Sequence, residues 1–246
     1  MKRWRTWFAF GAAAASFALT VSLGQWQLRR AQEKLQVQDA WDRAEQAAPV
    51  AVAGAMLAEI GARLPLRLRL RGRLLFEHEV WLENRMMDGR AGWMLVTPLR
   101  LDDGATVLVN RGFAPRDPRD RLRLPTVARP QGEVTIEGLA VPHAARVLQI
   151  GENAPAGTGP LVWQNFDFDA FERARGLAVP RWVVQQTGGA DDGLLRRWPR
   201  LDSGVDKHRG YALQWFSLAA LIAGLTVYFG LRARWRAKPF NDMTHG

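Results

Sequence analysis

No charged residue occurs between Arg5 and Arg29, and none between Arg209 and Arg232. A bilayer's hydrocarbon core is about 30 Å thick and a helix rises about 1.5 Å per residue, so roughly 20 apolar residues cross it. Both stretches reach that length. Between them the chain is richer in charge and broken by Pro and Gly, as a folded aqueous domain is. That region is long enough to bury its own core. The expected architecture is a membrane protein with two transmembrane α-helices flanking one mainly-β (α+β) extramembrane domain. The expected layout is a tail over 1–6, a first span over 7–27, the domain over 28–209, a second span over 210–231 and a tail over 232–246.

A basic start followed by an apolar run also fits a cleaved signal peptide. The run from Trp7 to Leu23 is long for one. It continues through Gly24, Gln25, Trp26 and Gln27 without a convincing small-residue cleavage site. The second stretch has no such rival.

A formal net charge of +10 raises the question of nucleic acid. The two tails carry +6 of it through Lys2, Arg3, Arg5, Arg232, Arg234, Arg236 and Lys238, offset by Asp242, which leaves only +4 for the rest. Basic tails are what the cytoplasmic side of a bilayer selects. Arg29, Arg30 and Lys34 vote the other way, but long loops cross membranes largely regardless of charge. Both termini are expected inside and the domain outside, with no nucleic-acid partner.

The residue inventory constrains chemistry. There is no Cys, which excludes disulfides, thiolate metal sites and a Cys nucleophile. The region from Ala31 to Pro199 has no Ser and no Tyr, so a serine hydrolase has nothing to build on. His78, His143, His208 and His245 are scattered, with no pair at metal-ligand spacing. No Gly-rich phosphate loop of the common types occurs. The expectation is a non-enzyme.

Along the domain, helix formers continue from Gln27 towards Pro49, which reads as the first helix extending beyond the apolar run. Leu64, Leu66, Leu68 and Leu70 alternate with Arg63, Arg67, Arg69 and Arg71, the period of a half-buried strand with a solvated Arg row. Val80 to Arg85 alternates less cleanly, and Asp88-Gly89 marks a turn. Trp93 to Leu101 and Ala105 to Arg111 flank Asp102-Asp103-Gly104, a hairpin signal. Gly132 to Val141, Leu161 to Phe166 and Arg181 to Gln186 read as further strands. Gly151 to Pro160 reads as a loop. Asp167 or Asp169 caps one helix that Gly176 stops after Arg175. Arg85 and Arg111 are expected to be ion-paired within the fold, because a buried charge is costly otherwise.

The candidate site lies at the mouth of the second span. His208, Tyr211, Ala212 and Trp215 are spaced i, i+3, i+4, i+7 and so share a helix face. One imidazole, two aromatics and the neighbouring Lys207 and Arg209 suit a haem: an axial nitrogen, ring contacts and propionate partners. The alternative is an interfacial belt, where Tyr and Trp sit anyway and basic residues flank most spans. The residues alone leave both open.

Several segments together resemble a known family. Leu23-Gly24-Gln25-Trp26-Gln27 with Arg30 and Lys34 is similar to its signature at the exit of the first span. Asn84-Arg85, Gly92, Thr97-Pro98-Leu99 and the run from Val107 to Pro115 are similar to its central block, and Pro130, Gly132, Val134 and Gly138 follow in order. His208 with the run from Gly210 to Phe216 is similar to the entry of its second span. The chain thus resembles the Surfeit locus protein 1 family, whose members assist assembly of cytochrome c oxidase. Asp206 stands where the family usually has Asn, and Phe113 where many members have Trp.

The resemblance implies a multi-pass protein of the bacterial plasma (inner) membrane with a periplasmic domain. It implies action during insertion of haem a into oxidase subunit I. It implies His208, and His208 alone, as ligand to the haem iron; Tyr211 and Trp215 are candidate haem contacts from the helix face they share with it, and Trp26 fits an interfacial anchor as well as a haem contact. The implied partners are subunit I, the haem a synthase and membrane lipid. The alternative within the same family is a scaffold that holds subunit I and never ligates haem.

Overall fold

A computed structural model describes residues 2–120, 123–143, 160–189, 192–198 and 204–236. The chain divides into two compact units, residues 1–39 with 201–246, and residues 40–200. The loop expected at Gly151 to Pro160 lies, but for Pro160, outside the described residues.

The first unit is built from α1 (Lys2–Gln46), as far as Asp39, and α4 (Val205–Arg236). Both helices are long and apolar enough to cross a membrane. The helices run antiparallel. A Cβ added at Gly24 would lie 2.8 Å from the Phe216 ring, and one added at Gly230 would lie 3.8 Å from Phe10. Thr20, Gly24 and Ala31 are buried on α1, and Val205, Ala212 and Ala219 on α4. Small residues at such a seam let two helices approach closely, which in lipid replaces the hydrophobic drive available in water. Thr20 remains compatible with an apolar setting because its hydroxyl donates back to Ser16 O at 3.0 Å.

The second unit is a mixed sheet with helices on it. Its strands are β1 (Val50–Ala51), β2 (Leu66–Leu74), β3 (Val80–Met87), β4 (Arg90–Leu101), β5 (Thr106–Pro115), β6 (Val134–Val141), β7 (Leu161–Trp163) and β8 (Val183–Gln186). Two short helices accompany them, α2 (Leu57–Ala62) and α3 (Phe168–Arg175). The domain was expected to hold one helix. The additional α2 is six residues long, too short to show a period, and its N-cap residue Met56 makes no side-chain bond.

Pairing explains the shape. The order is β1-β2-β6-β8-β5-β4-β3-β7, and β2 pairs also with β4 through Gly72 to Leu74. The strands β2, β6, β8, β5 and β4 therefore close into a ring, with β3 and β7 extending the sheet from the other half of β4. Closure gives Gly72–Leu74 of β2 and Leu99–Leu101 of β4 a partner they would otherwise lack. Its cost is tight packing where strands cross: a Cβ on Gly72 would lie 2.0 Å from Arg100 O. Leu68, Leu70, Leu74, Leu99, Leu101, Val107, Val109 and Ile136 form one core. On another face Phe171 of α3 and Ala44 of α1 pack against Val80, Leu82, Val96 and Leu108. Covered so thoroughly, Gly92 to Leu99 and Thr106 to Ala114 are buried without alternation.

Local signals behave as chemistry requires. Asp167 caps α3, accepting from Ala170 N at 2.9 Å, and Gly176 ends it at φ 65°. The Arg row of β2 faces out as expected and is not left to water alone. Arg67 and Arg69 pair with Glu137 on β6 at 3.3 and 2.7 Å, and Arg71 pairs with Glu133. The Arg69 guanidinium holds the Glu137 carboxyl below the usual carboxylate range, and Arg71 does the same to Glu133.

Arg111 is buried as an ion pair, as expected. Its Nη2 donates to Asp192 Oδ2 at 3.1 Å and Ala128 O at 2.8 Å, and its Nη1 lies 3.5 Å from Glu79 Oε1. Arg85 departs from expectation. It is equally buried, yet among the described residues no carboxylate faces it; Nη2 reaches only Gln164 O and Asn165 Oδ1, and Nε and Nη1 have no hydrogen-bond partner. Burial without a counter-charge pushes its pKa down to about 10. The local reason is a bulge. Asn84 sits at φ 55° where the β3–β4 register slips between Leu82 and Arg85, turning Arg85 inward.

Candidate functional site

The side chains of interest lie in the first unit, at the end of the helix pair where charged residues begin. On α1, Thr20, Gly24, Gln27 and Ala31 follow a 4-3-4 spacing. On α4, Val205, His208 and Ala212 follow a 3-4 spacing. Such spacings keep residues on the seam of two packed helices. Gln27 and His208 are polar members of that seam, and they meet: His208 Nδ1 and Gln27 Oε1 are 2.7 Å apart. An amide oxygen only accepts, so in this orientation of the Gln27 amide the contact is a hydrogen bond when Nδ1 carries a proton.

Not every expected site residue gathers here. His208 is half-buried and anchored. Trp215 is half-buried on the same helix. Tyr211 is 52% exposed, whereas its neighbour Ala212 is 2% exposed, so the stripe expected to act as one face splits, with Ala212 on the seam and Tyr211 outside it. Trp26 is 45% exposed and carries Arg30 over its ring at 5.9 Å. The structure therefore joins His208 to α1 and leaves Tyr211 and Trp26 on outer surfaces of the pair. Gln27 stood in the signature at the first span's exit but not among the expected site residues. The 4-3-4 spacing running through it was the signal available.

The donor set fits a haem in kind: one imidazole engaged through Nδ1, aromatic surfaces on both helices, and Arg30, Lys207 and Arg209 nearby in sequence for carboxylate groups. Among the described residues no cluster of three or more His, Cys, Asp or Glu could hold a bare metal ion. The central block is architectural. Gly92 lies against Phe113, whose ring would be 2.5 Å from a Cβ there. Gly112, at φ 146°, lets the backbone approach Leu195 O.

An antiparallel pair of membrane-length helices, separated in sequence by one closed mixed-sheet domain, defines an integral membrane protein with a single extramembrane domain. The model of the SURF1 family matches residues 14–220, most of the chain, and the protein belongs to that family. A SURF1-like protein of Rickettsia conorii is 26% identical over 229 residues, 90% of each chain. Surfeit locus protein 1 of Takifugu rubripes is 25% identical over 227 residues, 82% of this chain and 89% of that one. A SURF1-like protein of Dictyostelium discoideum is 28% identical over 116 residues, 44% of this chain and 43% of that one. Family membership implies a role in cytochrome c oxidase assembly.

Proposed function

We propose that the protein is a haem-handling chaperone, not an enzyme: it holds haem a at the outer ends of α1 and α4 and assists its delivery to oxidase subunit I. The observation that supports this reading is the Gln27–His208 contact at 2.7 Å, which holds the imidazole through Nδ1 at the seam of the two helices. His208 would supply the axial nitrogen. Tyr211, Trp215 and Trp26 would offer apolar and ring contacts, and Arg30, Lys207 and Arg209 would neutralise the propionates. Haem a, once delivered, supplies the oxidase's redox chemistry. This chain's own work is to bind, orient and shield it. In this reading the domain is periplasmic, both termini are cytoplasmic, and the protein resides in a bacterial plasma membrane where subunit I, the haem a synthase and lipid are its partners.

The outward placement of Tyr211 and Trp26 favours a second reading, a scaffold that stabilises a subunit I intermediate without ligating haem. A deletion strain tests whether the protein acts after haem a is made. Haem-copper oxidase activity is expected to fall while extractable haem a persists. Complete disappearance of haem a, with its biosynthetic enzymes present, would replace the chaperone with an enzyme.

A further inference from the structure

His208 is a mobile choice of tautomer unless something fixes it. A neutral imidazole carries its proton on either nitrogen, and only the bare one can ligate a metal. Gln27 turns its Oε1, not its amide NH2, to within 2.7 Å of Nδ1, and against that acceptor a neutral ring makes the hydrogen bond only in the Nδ1–H form. Gln27 cannot readily turn away, because it lies on the seam between Gly24, which the Phe216 ring abuts, and the buried Ala31. His208 is held in the same way between the buried Val205 and Ala212. The bond also ties α1 to α4 at one point, so the direction of the ring is set by both helices and not by one.

We infer that Gln27 is the positioning residue of this site: it locks His208 in the Nδ1–H tautomer and presents Nε2 as the open ligand atom. This rests on the haem reading for the identity of what Nε2 meets. It does not rest on it for the tautomer. The bond also raises the electron density at Nε2, as outer partners of metal-bound histidines do, and loss of such partners costs about 10- to 100-fold in affinity.

The test uses the full chain in detergent with ¹⁵N-labelled histidine, at a pH where the ring is neutral. His208→Ala assigns the His208 signals. The parent should show protonated Nδ1 and bare Nε2. Gln27→Leu should move His208 towards the Nε2–H form, and Gln27→Glu, whose ionised carboxylate offers an acceptor at the same reach, should keep the proton on Nδ1. The same three proteins are then purified from cells making haem a. Gln27→Leu should retain haem about 10- to 100-fold more weakly, with Gln27→Glu retaining it. An unchanged tautomer in Gln27→Leu overturns the inference, whether or not haem is bound. A Gln27-dependent tautomer in a parent that binds no haem overturns the haem reading and the ligand role of Nε2 with it. Membrane insertion and helix content, compared across the variants, exclude simple misfolding.

Discussion

Arg111→Met unfolds the domain at markedly lower temperature than the parent. Arg111 is 1% exposed and stands between Glu79 and Asp192, which are 4% and 8% exposed. Removing the cation leaves two carboxylates in a poorly solvated interior. Glu79 would retain Arg129 at 2.8 Å and Asp192 would retain Arg196, but Arg129 lies on the surface and holds its partner only from one side. Breaking a buried pair by deleting one member costs about 3–5 kcal/mol. In a domain of this size that corresponds to a fall in Tm of roughly 6–20 °C. Desolvation pushes the Arg111 pKa down, so the pair is no free gain in stability; what is expensive is leaving two buried acids without the cation between them. Adding Glu79→Gln and Asp192→Asn to Arg111→Met should therefore recover part of the loss. Thermal unfolding followed by tryptophan fluorescence measures both. A Tm for Arg111→Met equal to the parent's would show that the cluster does not hold β5 and the Ala128 and Asp192 segments together.

If the protein holds haem a as proposed, His208→Ala is expected to abolish haem binding while the protein still inserts and folds. Among the described residues the variant removes the only imidazole on the helix seam, and Ala is a strong helix former, so α4 should persist. His78 and His143 belong to the other unit, and their Ala variants should keep the parent's haem-to-protein ratio. Each variant is purified from haem a-producing cells and its ratio measured. Full retention in His208→Ala, with loss in either of the others, would move the ligand into the sheet domain.

Much of the fold could be read from the chain. The Leu/Arg alternation of β2, the hairpin at Asp102-Asp103-Gly104 and the Asp167–Gly176 bounds of α3 are local signals, and local chemistry decides them. What was not legible is decided at a distance. Nothing near Gly72 announces that β2 will pair with β4 as well as β6, and ring closure follows from that one extra pairing. The inward turn of Arg85 depends on a register slip against β4, which no periodicity in β3 reveals. At the site, His208 stood out because a histidine beside a span is rare. Gln27 did not, because a glutamine at a helix exit is ordinary until its partner on the other helix is known. Tyr211 and Ala212 show the limit of face arguments: adjacent positions shared a stripe on paper, and the seam runs through one of them only.

The proposal that this chain handles haem a is tested most directly by the absorption spectrum of the full-length parent, purified in mild detergent from cells that make haem a, with the pigment then extracted and identified. Haem a bound in a reproducible ratio to the protein is the result predicted. A folded, membrane-inserted protein that comes out of those cells free of haem would contradict it and leave the scaffold.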